Sequence, residues 1–337
     1  MLSYAAAQSM EPIRTDLEGQ LRSRWNEPEL IVGSIEPIAE GHSGFTYWVD
    51  IDQPSGKRRY VLRLTPPGAR PSGPADVARQ GRIMAALNAR GLPVPAIPAV
   101  SAKPVVDGRP FVLMEAVDGD RIELTAPREK PLEVAASSVE VLQRLHAVPV
   151  AATGIAEEEP MPLSGEMMRW AWLMERAAPD LTGRAPELGL GLAEKVPAER
   201  QPTLVHGDYH MGNLLFRGPR VVAVLDWEIA QIGQPLLDLA CLCVMVARKR
   251  FGGGTAPGGT IDVEIEDFIR LYGADPAEMR WYLALSLYKY AAILGYNLML
   301  HRKGRRPDPM YESEAMAKTI GGMIDDGIEI LATSGGL

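Results

Sequence analysis

The stretch from Leu204 to Phe216 holds the residues best suited to chemistry. It reads Leu-Val-His-Gly-Asp-Tyr-His-Met-Gly-Asn-Leu-Leu-Phe, so a polar loop carrying Asp208 and Asn213 lies between two apolar segments. Phosphoryl transfer needs a carboxylate that orients an attacking hydroxyl and accepts its proton, beside a neutral oxygen ligand for magnesium. An aspartate followed five residues later by an asparagine supplies both groups.

A further pair of carboxylates follows one hairpin later along the chain. The apolar run Val221–Leu225 leads directly into Asp226 and Glu228. A carboxylate at the end of a buried strand suits a metal site, so we expect Asp226 to converge with Asp208 and Asn213 on one magnesium–phosphate site. Glu228 would support a second metal ion. Each of these residues alone would also suit a turn, but their order between apolar strands favours the chemical interpretation.

Three segments together resemble the aminoglycoside-phosphotransferase family. They are His206–Asn213, Leu225–Glu228 and Leu237–Ala240. The interval between the aspartate and the asparagine is also that of a kinase catalytic loop. The resemblance extends from Ile38 to about Tyr296. Within the family, the chain looks most like the branch found beside or fused to acyl-CoA dehydrogenases. It implies an α+β, two-lobed protein-kinase-like fold with a β-rich N-terminal lobe and a helical C-terminal lobe.

The resemblance assigns roles around the loop. Asp208 would be the catalytic residue. Asp238 looks like the aspartate that hydrogen-bonds the catalytic loop from the following helix, although an aspartate at a helix N-terminus is also favoured by the helix dipole. His206 is interpreted as a packed, hydrogen-bonded loop residue, because Asp208 already fills the role of base. His210 is expected in the loop without assigned chemistry.

The resemblance also implies a nucleotide site in the N-terminal lobe. Gly41, Ser43 and Gly44 would form the hairpin that covers the phosphates, where glycine lets backbone N–H groups approach closely. The backbone of Glu115 and Val117 would bind the adenine edge. Because backbone groups would bind the base, the side chains do not distinguish ATP from GTP, and the sequence is compatible with either.

The strand Tyr60–Leu64 departs from the usual kinase pattern. Val61 and Arg63 share one face, so Val61 would contact the adenine while Arg63 reaches the phosphates. Arg63 stands where kinases have a lysine, and Gln80, where they usually have glutamate, would be its partner. Arginine keeps the charge but is not an equivalent donor, and a bond to a neutral amide is weaker.

These residues predict a kinase that transfers the γ-phosphate of a nucleoside triphosphate to a small molecule. Asp238 follows Asp226 by only twelve positions, too few for the long activation segment with which protein kinases bind a peptide. A hydroxylated small molecule is therefore the expected acceptor. The alternative is a nucleotide-binding regulatory protein with little transfer activity, motivated by Arg63 and Gln80. The acceptor's identity and the oligomeric state stay open.

Charge and hydropathy exclude other classes of partner. The 337 residues carry a formal net charge of −8, which argues against nucleic acid, since phosphate backbones need a basic face. The segment Leu283–Leu300 comes nearest to a membrane span, but five polar or amphipathic residues interrupt it: Ser286, Tyr288, Lys289, Tyr290 and Asn297. We therefore predict a core helix and no membrane partner.

The cysteines and the N-terminus point to a cytoplasmic location. Cys241 and Cys243 lie two positions apart on a predicted helix, so their side chains diverge and are expected to be buried thiols. The first residues lack the basic start and long apolar core of a signal peptide.

Hydrophobic periodicity supplies the elements that position the site. We predict an N-terminal nucleotide-binding lobe over residues 1–115, with 1–27 as a polar helical lead-in, and a C-terminal lobe over 116–337. The predicted N-terminal elements are strands at Leu30–Ile38, Phe45–Ile51, Arg59–Leu64 and Pro110–Met114 and a helix at Ala75–Arg90. The predicted C-terminal helices are Val134–His146, Met167–Arg176 and Met279–His301.

Overall fold

The chain divides into a sheet-rich unit and a helical unit. The computed structural model describes residues 10–38, 45–126, 128–247 and 261–333. The first unit comprises Met1–Asp118, Ala151–Ala156 and Ala223–Ala230. The second comprises Gly119–Val150, Glu157–Val222 and Gln231–Leu337. The α+β class predicted from the sequence is confirmed.

The first unit is built on a five-stranded antiparallel sheet with the order β1-β2-β3-β5-β4. Its strands are β1 (Ile31–Pro37), β2 (Thr46–Gln53), β3 (Gly56–Leu64), β4 (Ala99–Val106) and β5 (Arg109–Glu115), and its helices are α1 (Glu11–Trp25) and α2 (Val77–Asn88). Each predicted strand overlaps an observed one. The sequence also predicts that Val105–Gly108 pairs with the last of these strands, and the observed β4 begins six residues earlier, at Ala99.

Helix α1 belongs to the core of this unit. Its apolar residues Ile13, Leu17 and Leu21 recur every fourth position, which places them on one face of the helix. All three are buried in one cluster with Tyr60 and Leu62 of β3. Complete burial of an aliphatic side chain contributes about 1.5–3 kcal/mol. The segment predicted as a polar lead-in is therefore a structural part of the sheet-rich unit.

Helix α2 covers the opposite face of the sheet. A Cβ at Gly81 would lie 2.9 Å from Val100 and 3.0 Å from Val112, so only glycine permits this close packing of helix on sheet. Arg63 of β3 is the direct cross-strand partner of Val112, and cross-strand partners point to the same face. Arg63 and Val61 thus lie on the face that carries α2, while Leu62 between them enters the core.

The second unit is mostly helical. Its helices are α3 (Ile122–Thr125), α4 (Pro131–His146), α5 (Leu163–Met174), α6 (Ala185–Glu194), α7 (Leu236–Ala247), α8 (Ile265–Tyr272), α9 (Pro276–Arg302) and α10 (Glu314–Ala332). Short strands β6 (Thr203–Val205) and β9 (Gln231–Gly233) pair antiparallel, and β7 (Leu214–Arg217) pairs with β8 (Arg220–Val224). Helices α3, α6, α8 and α10 were not predicted from the sequence.

Helix α9 forms the centre of the helical unit. It begins at the N-cap Asp275, whose side chain accepts a hydrogen bond from the Ala277 N–H at 2.9 Å. Within the described ranges, it alone is long and apolar enough to cross a membrane by length and composition, yet 61% of its apolar window is buried. It packs against α5, α7 and α10. The apolar segment is therefore a core helix, as predicted.

Candidate functional site

The loop after β6 is anchored by the buried carboxylate of Asp238. Its Oδ2 accepts the His206 backbone N–H at 2.7 Å and its Oδ1 accepts the Gly207 N–H at 2.8 Å. The Nε2 of His146, on α4, lies 3.2 Å from Oδ2. Gly207 has φ +83°, a conformation that other residues adopt only with strain. Asp238 thus ties α4 and α7 to the loop, the supporting contact that the family resemblance implies.

Removing this carboxylate should destabilise the fold strongly. Asp238→Ala leaves two buried backbone donors without an acceptor, each costing about 1–3 kcal/mol, so we expect a loss of about 3 kcal/mol in the free energy of unfolding. Urea denaturation measures it. Asp275→Ala, which removes an exposed helix cap, is the matched control and should cost about 1 kcal/mol. Equal losses for the two variants would contradict the anchoring role.

Asp208 lies in the same loop and is contacted from two directions. Tyr290 of α9 donates its hydroxyl to Oδ1 at 2.7 Å, and the Lys289 ammonium lies 3.6 Å from the same oxygen. The other oxygen, Oδ2, is 3.4 Å from both the Asn213 Nδ2 and the His210 Nε2. Nδ2 of Asn213 also donates to the Asp208 carbonyl at 2.9 Å. The sequence-predicted pair Asp208 and Asn213 is therefore brought together.

The environment of Asp208 favours an ionised carboxylate. Burial alone would raise its pKa, but the His210 ring and the Lys289 ammonium that face it act in the opposite direction. Hydrogen bonds from His210 and Tyr290 add to this effect, and the net result is a pKa well below the usual range of aspartate. The side chain remains 28% exposed. A charged, partly accessible carboxylate is able to accept a proton from a bound hydroxyl.

Lys289 lies beside Asp208, a contact that the sequence alone did not indicate. Its ammonium donates to the Gly207 carbonyl, lies 3.3 Å from the Cys241 Sγ, and stands 5.3 Å from the centre of the Trp170 ring. Its side chain is only 5% exposed. A lysine inside an otherwise apolar helix was the available signal, because a buried charge needs partners. Cys241 and its neighbour Cys243 are buried free thiols, as predicted.

In the sheet-rich unit, Arg63 binds both predicted metal-ligand carboxylates. Its Nη1 donates to Asp226 Oδ1 at 3.0 Å and its Nη2 to Glu228 Oε2 at 2.6 Å. Asp226 has φ +63°, which is unusual for a residue with a side chain and marks a turn held by its surroundings. Trp227, buried between the two, fixes that turn by donating its indole N–H to the Val224 carbonyl at 3.0 Å.

The donor atoms suit magnesium. Asp226 and Glu228 already direct carboxylate oxygens at one shared cationic group, the Arg63 guanidinium. Within the described ranges, the side-chain oxygen of Asn213 accepts no hydrogen bond, so this amide oxygen is available as a ligand. Those same ranges contain no cluster of three or more His, Cys, Asp or Glu side chains arranged for a metal. Mg²⁺ is often bound by one or two carboxylates together with substrate phosphates, and Asp226 and Glu228 offer carboxylates of this kind. Convergence of the two units' residues stays a prediction.

Gln80 has a different partner from the one expected. Its Nε2 donates to the Pro74 carbonyl at 3.0 Å, and the residue is 1% exposed on α2. Arg63 bonds to the two carboxylates instead. The physical reason is that a guanidinium forms stronger, charge-assisted bonds with carboxylates than with a neutral amide. In this conformation Gln80 supports the loop before α2 rather than Arg63.

The remaining predicted nucleotide residues are only partly described. Val61 is half-buried on the face of β3 that it shares with Arg63. Glu115 ends β5, and its backbone N–H donates to the Ala96 carbonyl at 2.9 Å, while Val117 follows outside regular secondary structure and is half-buried. Three residues of the predicted phosphate hairpin lie outside the described residues: Gly41, Ser43 and Gly44.

Comparisons with known sequences place this geometry in context. The model of the APH phosphotransferase enzyme family matches residues 34–282. Acyl-CoA dehydrogenase family member 11 of Rattus norvegicus is 30% identical over 281 residues, which cover 77% of this chain and 35% of the relative. Family member 10 of Mus musculus is 28% identical, covering 75% of this chain and 25% of the relative. The chain thus spans about a third or less of the length of these relatives.

Solved structures share the fold. A candidate aminoglycoside phosphotransferase from Ralstonia eutropha JMP134 superposes with a TM-score of 0.71 at 23% identity, covering 94% of this chain and 97% of that one. Aminoglycoside phosphotransferase APH(4)-Ia, in a ternary complex with ADP and hygromycin B, gives a TM-score of 0.61 at 16% identity, covering 95% and 100%. The two-lobed, kinase-like fold expected from the sequence is confirmed by these similarities.

Proposed function

Because the chain belongs to the APH phosphotransferase enzyme family, we propose that it transfers the γ-phosphate of a nucleoside triphosphate to a hydroxyl of a small molecule. The observation that carries the proposal is the Asp208 carboxylate, which is ionised and partly exposed. It accepts a hydrogen bond from the Tyr290 hydroxyl and lies in a loop that Asp238 holds in place. A group of this kind suits proton transfer from an alcohol.

In this proposal each polar residue has one task. Asp208 orients the acceptor hydroxyl and takes its proton as the acceptor oxygen bonds to the γ-phosphorus. Asn213, Asp226 and Glu228 would hold magnesium, which when bound neutralises charge on the phosphates. Asp238 keeps the loop in place through its two backbone hydrogen bonds.

The proposed nucleotide is ATP. The fold neighbour APH(4)-Ia was solved with ADP and, in another crystal, with AMP-PNP, and this supports an adenine nucleotide. The backbone of Glu115 and Val117 would bind the base beside Val61. Gly41, Ser43 and Gly44 would cover the phosphates. A cytoplasmic location, a small-molecule partner and the absence of nucleic-acid and membrane partners remain part of the proposal.

Arg63 is proposed to bind the phosphates of the nucleotide. Arg63→Ala should weaken ATP binding about tenfold or more, because a charge-assisted bond contributes about 1.5–3 kcal/mol, and should leave adenosine binding unchanged. Isothermal titration with both ligands measures this. Arg59→Ala on the same strand, which breaks an ion pair with Asp50, is the control and should change neither affinity. Equal losses for ATP and adenosine would indicate a folding role instead.

A screen of hydroxylated metabolites tests the proposed function. The protein is incubated with magnesium, ATP and each candidate, and ATP consumption is followed together with the mass of the product. We expect at least one candidate to gain a phosphate with the parent protein, and to gain it at least about a hundredfold more slowly with Asp208→Asn. Phosphorylation at the parent's rate in the variant would refute the role of Asp208.

One observation favours a second candidate function. Arg63 is engaged by Asp226 and Glu228, and Gln80 bonds to Pro74, so the usual lysine–glutamate pair has no counterpart in this conformation. A nucleotide-binding regulatory protein with little transfer activity would be compatible with this arrangement. Tight binding of Mg·ATP with no product across the broad screen is its expected signature.

A further inference from the structure

The two oxygens of the Asp208 carboxylate have different surroundings. Oδ1 accepts a short hydrogen bond of 2.7 Å from the Tyr290 hydroxyl, and the Lys289 ammonium lies on the same side at 3.6 Å. Within the described ranges, the contacts of Oδ2 are long, at 3.4 Å to the Asn213 amide and at 3.4 Å to the His210 ring. At such distances a hydrogen bond is weak. One oxygen is therefore occupied by strong partners and the other is not.

The groups on the Oδ1 side are rigidly held. Tyr290 is 9% exposed and belongs to the buried helix α9. The Lys289 ammonium beside it is fixed by the Gly207 carbonyl and lies 4.9 Å from the centre of the Tyr290 ring, within range of a cation–π contact. A donor on a packed helix keeps its direction better than one on a loop.

We propose that Tyr290 is a positioning residue for the base: its hydroxyl holds Oδ1 of Asp208 and thereby presents Oδ2 to the acceptor. This inference rests on the proposed function. The acceptor O–H bond breaks and its proton passes to Oδ2, while the acceptor oxygen forms a bond to the γ-phosphorus. The bond between that phosphorus and the bridging oxygen breaks, and its electron pair leaves with the nucleoside diphosphate.

Tyr290→Phe tests the inference, because it removes only the hydroxyl. Steady-state hydrolysis of Mg·ATP, with water as the acceptor, supplies the readout without a known substrate. We expect kcat to fall about tenfold or more with KM for ATP unchanged, since misplacing a reacting group can cost about a hundredfold. The matched control is Tyr282→Phe on the same helix, because within the described ranges that buried hydroxyl has no hydrogen-bond partner. It should hydrolyse ATP at the parent's rate.

A double-mutant cycle separates positioning from a general structural role. If Tyr290 acts through Asp208, then Tyr290→Phe should have little further effect in the Asp208→Asn background, whereas a structural role would lower kcat in both backgrounds equally. Equal effects overturn the inference, as does a folded Tyr290→Phe protein with the parent's kcat. A parent that neither hydrolyses ATP nor phosphorylates any acceptor refutes the proposed function instead, and thermal melts of the four proteins then report whether the two side chains still interact.

Discussion

Asp208→Asn is expected to leave ATP affinity close to the parent's and to cut turnover about a hundredfold or more. Asparagine keeps the shape of the side chain and can accept the Tyr290 hydroxyl, so the loop should stay folded. It cannot take a proton, because the amide is not basic. Calorimetric titration with Mg·ATP and turnover on the acceptor found by the screen measure the two effects.

The control for this variant is another aspartate-to-asparagine change in the helical unit. Asp325 forms an exposed ion pair with Arg184, and exposed pairs contribute little to stability. Asp325→Asn should therefore match the parent in melting temperature, ATP affinity and turnover. If Asp208→Asn also kept the parent's turnover, Asp208 would not be the base, and the mechanism proposed above would fail.

Asp226→Asn should remove most of the magnesium dependence of nucleotide binding. Asparagine suits this position better than alanine, because the backbone has φ +63° and asparagine tolerates the left-handed region. The exchange removes a charged ligand, so the affinity for ATP in the presence of magnesium should fall by more than the 10–100-fold that changing an outer-sphere partner typically costs. Titration of ATP at several magnesium concentrations measures the loss.

Without magnesium, we do not expect Asp226→Asn to lower the affinity for ATP. Arg63 loses one of its two carboxylate partners in Asp226→Asn, so its guanidinium is freer to meet phosphate. Metal-free ATP should therefore bind as tightly as to the parent or more tightly. Glu228→Gln provides the comparison and should show a smaller loss with metal. Parent-like affinity of Asp226→Asn for Mg·ATP would show that Asp226 is not a metal ligand.

Local patterns in the sequence were sufficient for the sheet and for the loop. Alternation along β3 separates Leu62 and Leu64, which enter the core, from Val61 and Arg63, which do not, and this split was predictable. The contact between Asp208 and Asn213 follows from their spacing within one loop. Both inferences use residues that are close in the chain, where geometry is set by the backbone.

Contacts that depend on distant residues were not predictable in this way. Tyr290 reaches Asp208 across 82 positions of sequence, and nothing in a helical pattern states which loop a polar residue will meet. The partner of Arg63 was also misjudged, because the competition between Gln80 and two carboxylates depends on where Asp226 and Glu228 lie in three dimensions. Polar residues within apolar helices are the sequence feature that would have directed attention to α9.

The packing of α9 should affect both the proposed activity and the solubility of the protein. This helix carries Lys289 and Tyr290, yet its composition is apolar enough for a lipid environment. A substitution that loosens its packing against α10 would expose a long apolar surface, and such surfaces promote self-association. Lower yield of soluble protein and lower specific activity would then arise together from one cause. Rates of variants in this helix are therefore meaningful only per mole of folded protein.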